Sequence, residues 1–266
     1  MLNSQTTRST TAAATAGRLA GRARGLLGAF AATSAAHLGS LLTDSKALEL
    51  VSKPALMPLL AAHVLSSRAP GGRARRSGLN AAAGTSGMAG HEATAAAPAA
   101  RPARLLVPAL LASAVGDTLL QFDDEGAFLA GMGAFAAAHV CYVTMFAQQG
   151  ALTDRRRAAL VSTAYAAAWA VMISQLWPGL GALRIPVAGY SLLLASTAVT
   201  SAGLGLRAGL GGGLFLLSDT LIATRIAGWR ELPGHEFWIM STYVAAQYLL
   251  ATAALKAEEE AEAVAA

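Results

Sequence analysis

The chain has 266 residues, of which 55% are hydrophobic and only 13% charged. An ordinary soluble domain carries about a quarter charged residues, so there is too little charge here to cover a water-soluble globule. The formal net charge is +5, but the basic residues are mostly arginines grouped between apolar runs, without the aromatic interleaving of a nucleic-acid surface, and nucleic acid is not expected as a partner.

Residues 1–24 are rich in Ser, Thr, Ala and Arg and read as a disordered, basic, cytoplasmic lead-in. A signal peptide fits less well, because the basic part is long and the apolar stretch continues to about Leu42. Runs near bilayer length predict about eight spanning helices, at 25–43, 50–66, 105–121, 127–148, 158–177, 183–203, 207–227 and 237–255. The second and third are short, and the fourth is the clearest. The expected fold class is all-α, a polytopic integral membrane bundle, with a transmembrane domain over 25–256. Glycines such as Gly131, Gly133 and Gly211–Gly213 permit close helix approach in lipid. The segment 67–104 carries Arg68, Arg73, Arg75, Arg76, Arg101 and Arg104 among Pro, Gly, Ser and Ala, and reads as a flexible insert without a core. Residues 257–266 read as an acidic tail, the charged end of the last helix, with Glu258, Glu259, Glu260 and Glu262. Cys141 is alone, so no internal disulfide can form.

Lysine and arginine placement sets orientation. With the N-terminus inside, the lead-in, the insert, Arg155–Arg157, Arg207 and Lys256 face the cytoplasm and hold most of the basic residues. Lys46, Lys53, Arg184, Arg225 and Arg230 fall outside, as does the acidic group Asp123, Asp124 and Glu125. Eight spans put both termini in the cytoplasm of a multi-pass cell-membrane protein; seven would put the tail outside. Trp177, Trp229 and Trp238 read as interfacial anchors on the outer side.

An ionisable residue within lipid is costly and is a functional candidate by default. Two carboxylates lie well inside spans: Asp117 in Val115-Gly-Asp-Thr-Leu-Leu120, and Asp219 in Leu217-Ser-Asp-Thr-Leu221. Helical rise puts Asp117 roughly 6 Å and Asp219 roughly 12 Å from the outer ends of their spans. Lys53 enters span two just inside its outer end. Tyr243 and Gln247 share one face of span eight, and His139 lies near mid-depth in span four. All fall in one outer-to-middle layer, the pattern of a polar pocket closed by a bundle. The structural alternative is that each Asp caps a broken helix or pairs with Lys53, and that His139 bonds between helices. No HExxH, CxxC or GxSxG occurs, and the glycine runs follow no strand. A zinc set of His37, His63 and His139 with an Asp has no local signature; no metal and no cofactor are expected.

At these residues the sequence resembles the YhhN family, the membrane lysoplasmalogenases. The matching blocks are Lys53-Pro-Ala-Leu-Met-Pro-Leu-Leu60, Val115-Gly-Asp-Thr-Leu-Leu120, and Phe128-Leu-Ala-Gly-Met-Gly-Ala-Phe-Ala-Ala-Ala-His139 running on to Tyr142. Gly212-Gly-Leu-Phe-Leu-Leu-Ser-Asp219 and Tyr243-Val-Ala-Ala-Gln-Tyr248 complete the set, in family order. The insert departs from the pattern. The resemblance implies an eight-span helical hydrolase that cleaves the vinyl-ether bond of lysoplasmalogens, releasing a fatty aldehyde and a glycerophospho-alcohol. Its partners would be a lysophospholipid substrate and membrane lipids.

Vinyl-ether hydrolysis needs a proton donor for the β-carbon, then an anion that stabilises the oxocarbenium ion and activates water. Two carboxyls in different environments divide such roles in glycosidases. Asp219, deeper and without an obvious cation partner, is assigned as the acid. Asp117, shallower and near Lys53, is assigned as the ionised base; the reverse stays open. His139, Tyr243 and Gln247 would orient the carboxyls or the ether oxygen, and Lys53 would meet Asp117 or the lipid phosphate. The alternatives are a small-solute or proton-coupled transporter using the Asp pair, which discontinuous helices would favour, and a non-catalytic lipid-binding scaffold.

Overall fold

A computed structural model describes residues 2–68 and 102–265. Eight α-helices follow one another: α1 Leu2–Leu42, α2 Lys46–Arg68, α3 Leu106–Leu119, α4 Glu125–Gln148, α5 Arg155–Leu176, α6 Arg184–Gly203, α7 Leu206–Ile226 and α8 His235–Ala265. There is no strand among the described residues, and seven of the helices are long and apolar enough to cross a membrane. The protein is therefore an all-α polytopic membrane bundle. The exception is α3, whose 14 residues rise about 21 Å against a hydrocarbon core of about 30 Å. A short 3-10 helix, Pro102–Leu105, leads into it and adds about 8 Å.

Local chemistry starts the helices where the loops turn polar. Asp124 caps α4 by accepting from Gly126 N–H (2.9 Å) and Ala127 N–H (3.2 Å), and Asp154 caps α5 by accepting from Arg157 N–H (3.0 Å). At both ends of the chain the helices run on past the apolar spans. α1 begins at Leu2, within the segment read as a lead-in; its apolar part is Ala20–Leu42. The acidic tail continues α8, and Glu258 is buried against Arg68, Nε to Oε2 3.1 Å. Of the insert read over 67–104, residues 69–101 lie outside the described residues, and its edges belong to α2 and to the 3-10 helix.

The helices do not pack in simple chain order. α1, α2, α3, α4, α6, α7 and α8 close a ring, each touching the next, and α8 returns to α1, α2 and α3. α5 packs on the outside of α6. Its apolar window is only 6% buried, against 50% for α8. The core of the ring is filled from Leu56 and Leu60 of α2, Leu110 of α3, Phe146 of α4, Phe215 of α7 and Leu250 of α8, all fully enclosed.

Close approach of α6 and α7 depends on Gly212. A Cβ there would sit 2.1 Å from Ser201 Oγ and 2.8 Å from Ala198 Cα. Gly212→Ala is expected to destabilise the bundle by about 1–3 kcal/mol, because backbone must move. Gly133→Ala, which would meet nothing within 4 Å, is the control. Thermal unfolding in detergent measures both; equal melting temperatures would remove Gly212 from this role.

Candidate active site

One cavity of about 320 Å³ opens where α2, α3, α4, α6, α7 and α8 converge. Its polar groups include Lys53, Asp117, Tyr190, Asp219 and Tyr243, and its apolar wall Phe128, Met132, Val187, Ile222 and Met240. Both carboxylates picked from the sequence therefore face one space. Each sits in a helix whose next residue, Thr118 or Thr220, spends its hydroxyl on its own helix, bonding Ala114 O (2.8 Å) and Leu216 O (2.7 Å) respectively. Ser218, just before Asp219, donates to Ile239 O of α8 (3.0 Å) and pins α7 there.

Each carboxylate is held by a tyrosine, and each tyrosine is backed by a buried chain. Tyr243 O–H donates to Asp117 Oδ2 at 2.7 Å. Gln247 Nε2 donates to Tyr243 Oη (3.3 Å) and to Ser113 Oγ (3.0 Å), and Tyr142 O–H donates to Gln247 Oε1 (2.6 Å). On the other side Tyr190 O–H donates to Asp219 Oδ2, and its oxygen lies 3.4 Å from His139 Nε2. His139 Nδ1 meets Thr197 Oγ1 at 3.0 Å, and Thr197 donates to Leu193 O (3.2 Å). Phe215 stands edge-on to Tyr243 (5.4 Å) and to His139 (4.6 Å) and keeps the two chains apart.

The sequence reading is changed in four respects. His139 and Gln247 are fully buried and do not line the cavity; they stand behind Tyr190 and Tyr243. Lys53 lines the cavity with Asp117 but makes no ion pair within 4 Å among the described residues. It also lies two turns into α2, which starts at Lys46, rather than at the helix end. The order of enclosure is reversed. Asp219 is the deeper along its helix, about two turns from Ile226 or roughly 10 Å, yet it is half-buried, whereas Asp117 is only 3% exposed. Tyr243 of α8 covers the Asp117 carboxylate by bonding it; no sequence count records that.

Two groups were missed. Tyr190 sits in an apolar stretch of α6 with no charge to flag it. Arg225, in the last turn of α7, and Glu236, in the first turn of α8, line the cavity mouth and bond each other; in the sequence Arg225 reads only as topology, and Glu236 is not singled out. The three histidines of the zinc alternative do not converge: His37 Nδ1 meets Ser52 Oγ (2.9 Å), His63 Nδ1 meets Ala23 O (2.8 Å), and His139 belongs to the Tyr190 chain. Among the described residues no three of His, Cys, Asp and Glu cluster as ligands.

A ring of membrane helices closing on a cavity that holds two carboxylates defines the class: a polytopic α-helical membrane protein with an intramembrane acid pair. Within that class the chain belongs to the YhhN family, whose model matches residues 48–254 and so takes in every group of the cavity. It is similar to human lysoplasmalogenase TMEM86B, 36% identical over 157 residues that cover 58% of this chain and 64% of that protein. The lysoplasmalogenase of Mycobacterium bovis is 40% identical over 115 residues, 41% of this chain and 43% of its own length. Human lysoplasmalogenase TMEM86A is 32% identical over 160 residues, 58% of this chain and 66% of its own. The chain thus spans less than two thirds of the length of these relatives. No solved structure matches it.

Proposed function

We propose that this chain is a membrane hydrolase that cleaves the vinyl-ether bond of lysoplasmalogens, with Asp219 as general acid and Asp117 as general base. The observation that carries the reading is the pair of carboxyls facing one apolar-walled cavity, each accepting from a tyrosine that is backed by its own buried hydrogen-bond chain. Along the Asp117 chain every proton points the same way, Tyr142 to Gln247, Gln247 to Tyr243, Tyr243 to Asp117. That suits a carboxylate that accepts.

The Asp219 chain suits both states of a carboxyl. Thr197 gives its proton to Leu193 O, so it accepts from His139 Nδ1–H, and His139 Nε2 is left an acceptor. When Asp219 holds a proton it donates to Tyr190, and Tyr190 turns its own proton to His139. When Asp219 has given its proton away, Tyr190 turns back to the carboxylate.

The reaction follows with its protons balanced. Asp219 delivers a proton to the β-carbon of the vinyl ether, and the π electrons leave an oxocarbenium ion at the α-carbon. The Asp117 carboxylate stabilises that cation and takes a proton from water as its oxygen bonds the α-carbon. The hemiacetal then collapses: Asp117 returns its proton to the ether oxygen, the C–O bond breaks, and Asp219 takes the hemiacetal hydroxyl proton. The products are a fatty aldehyde and a glycerophospho-alcohol, and both carboxyls are restored. The substrate class is lysophospholipid. We read the cavity mouth as facing outward and both termini as cytoplasmic, on the arginine distribution.

α7 runs unbroken through Gly209 and Gly211–Gly213 and so offers no support for proton-coupled transport. The test is hydrolysis of lysoplasmalogen in deuterated water by purified protein in detergent, with the aldehyde trapped by reduction. One deuterium is expected at the carbon next to the carbonyl. Aldehyde without that deuterium would remove carbon protonation; no aldehyde from any lysoplasmalogen would remove the hydrolase reading.

A further inference from the structure

We infer that Arg225, together with Lys53, forms an anion subsite at the cavity mouth that takes the phosphate of a lysophospholipid headgroup. The identity of the lipid rests on the reading above; the subsite rests on the geometry of the mouth.

Arg225 lines the cavity from the last turn of α7. Its Nη1 donates to Glu236 of α8. Its Nε lies 3.6 Å from the Glu231 carboxylate, near enough for charge attraction but too long for a hydrogen bond. Neither Nε nor Nη2 has a hydrogen-bond partner among the described residues, although both atoms are buried. A buried donor left unmade is costly, and a guanidinium offers a planar fork that matches two phosphate oxygens. Glu236 holds that fork in place, so little freedom remains to be lost when an anion arrives. Lys53 lines the same cavity from α2 and makes no ion pair within 4 Å among the described residues. It is a point charge beside a directional fork. Glu236, about half exposed, lies on the Nη1 side away from the fork, and Glu231, also about half exposed, stands beside Nε, where a cation tethered to the phosphate would meet it.

The spacing agrees. Arg225 lies six residues beyond Asp219 on α7, about 9 Å along the axis. In an extended lysoplasmalogen the phosphorus and the β-carbon of the vinyl ether are seven bonds apart, and bonds of about 1.5 Å advance roughly 9 Å in a zigzag. A phosphate on Arg225 therefore brings the carbon to be protonated level with Asp219. The exposed Trp229 and Trp238 flank this end of the helix pair, the level at which tryptophan sits beside headgroups.

The test uses binding, so that it stands apart from hydrolysis. Full-length protein in a neutral maltoside detergent is titrated with a saturated alkyl-ether lysophospholipid bearing ethanolamine and, separately, with the matching monoalkylglycerol. Neither contains a vinyl ether, and tryptophan fluorescence reports binding. Wild type is expected to prefer the phosphate-bearing lipid. Arg225→Gln should weaken that lipid by about ten- to a hundredfold, the range for losing hydrogen bonds to a charged group, and change the monoalkylglycerol by less than about twofold. Arg225→Lys should keep part of the preference, and Lys53→Gln should also weaken the phosphate-bearing lipid alone. Equal loss of both lipids in Arg225→Gln with none of the preference kept by Arg225→Lys overturns the subsite, as does no change in either lipid. Wild type that discriminates the two lipids yet releases no aldehyde from lysoplasmalogen keeps the subsite and removes the hydrolase reading. Aldehyde release without discrimination does the reverse.

Discussion

Asp219→Asn protein, purified and folded, is expected to release aldehyde from lysoplasmalogen about a thousandfold more slowly than wild type, within the range that a general acid contributes. The amide keeps the size of the carboxyl and can still accept from Tyr190, so the cavity should keep its shape, but no proton is available for carbon. Asp117→Asn should fall by a similar factor for a different reason: the amide neither takes a proton from water nor supplies charge to the oxocarbenium ion. In the proposed scheme the two groups serve one cycle, so the double variant should be little worse than either single one. Elution profile and melting temperature in detergent check that each protein is folded. Either single variant retaining more than about a tenth of the wild-type rate would overturn the two-carboxylate scheme.

The parts of this site that were legible in the sequence are those for which a residue type is out of place. A carboxylate in an apolar run announces itself, and Asp117 and Asp219 were found that way. A histidine or glutamine in such a run also stands out, so His139 and Gln247 were found, but their layer was not. Whether a side chain meets substrate or stands behind one that does depends on helix rotation and on the neighbour's side chains. Tyr190 shows the same limit from the other side. A tyrosine is unremarkable in a membrane helix, and only the approach of α6 to α7 turns it toward Asp219.

Span count was legible because hydropathy measures it; neighbours were not. α5 and α8 are both apolar enough to cross a membrane, yet one faces mostly outward and the other is the most enclosed window of the bundle. Lipid tails are as apolar as a protein core, so hydrophobic patterning does not say which face turns inward. The same gap explains Arg225 and Glu236. Their charges fit the outer side of the topology, and nothing local shows that both turn into one cavity.

Tyr190→Phe should lower the rate of aldehyde release by about a hundredfold, near the upper end for a hydrogen bond to a charged group. Among the described residues the phenol is the only group that bridges Asp219 and His139. Without it the carboxylate left after proton transfer has no donor, and the protonated carboxyl has no acceptor in the chain. Thr197→Val acts one bond further back. It frees His139 Nδ1 from its acceptor and so loosens the tautomer that makes Nε2 accept, and a loss of about tenfold is expected. Because the threonine acts only through the histidine and tyrosine, its effect should vanish once Tyr190 is gone: the double variant should match Tyr190→Phe alone, a coupling that independent sites do not show. Rates on lysoplasmalogen for the four proteins, with melting temperatures alongside, measure that cycle. Additive losses would mean that Thr197 acts through packing, and that the chain from Thr197 to Asp219 does not carry the effect.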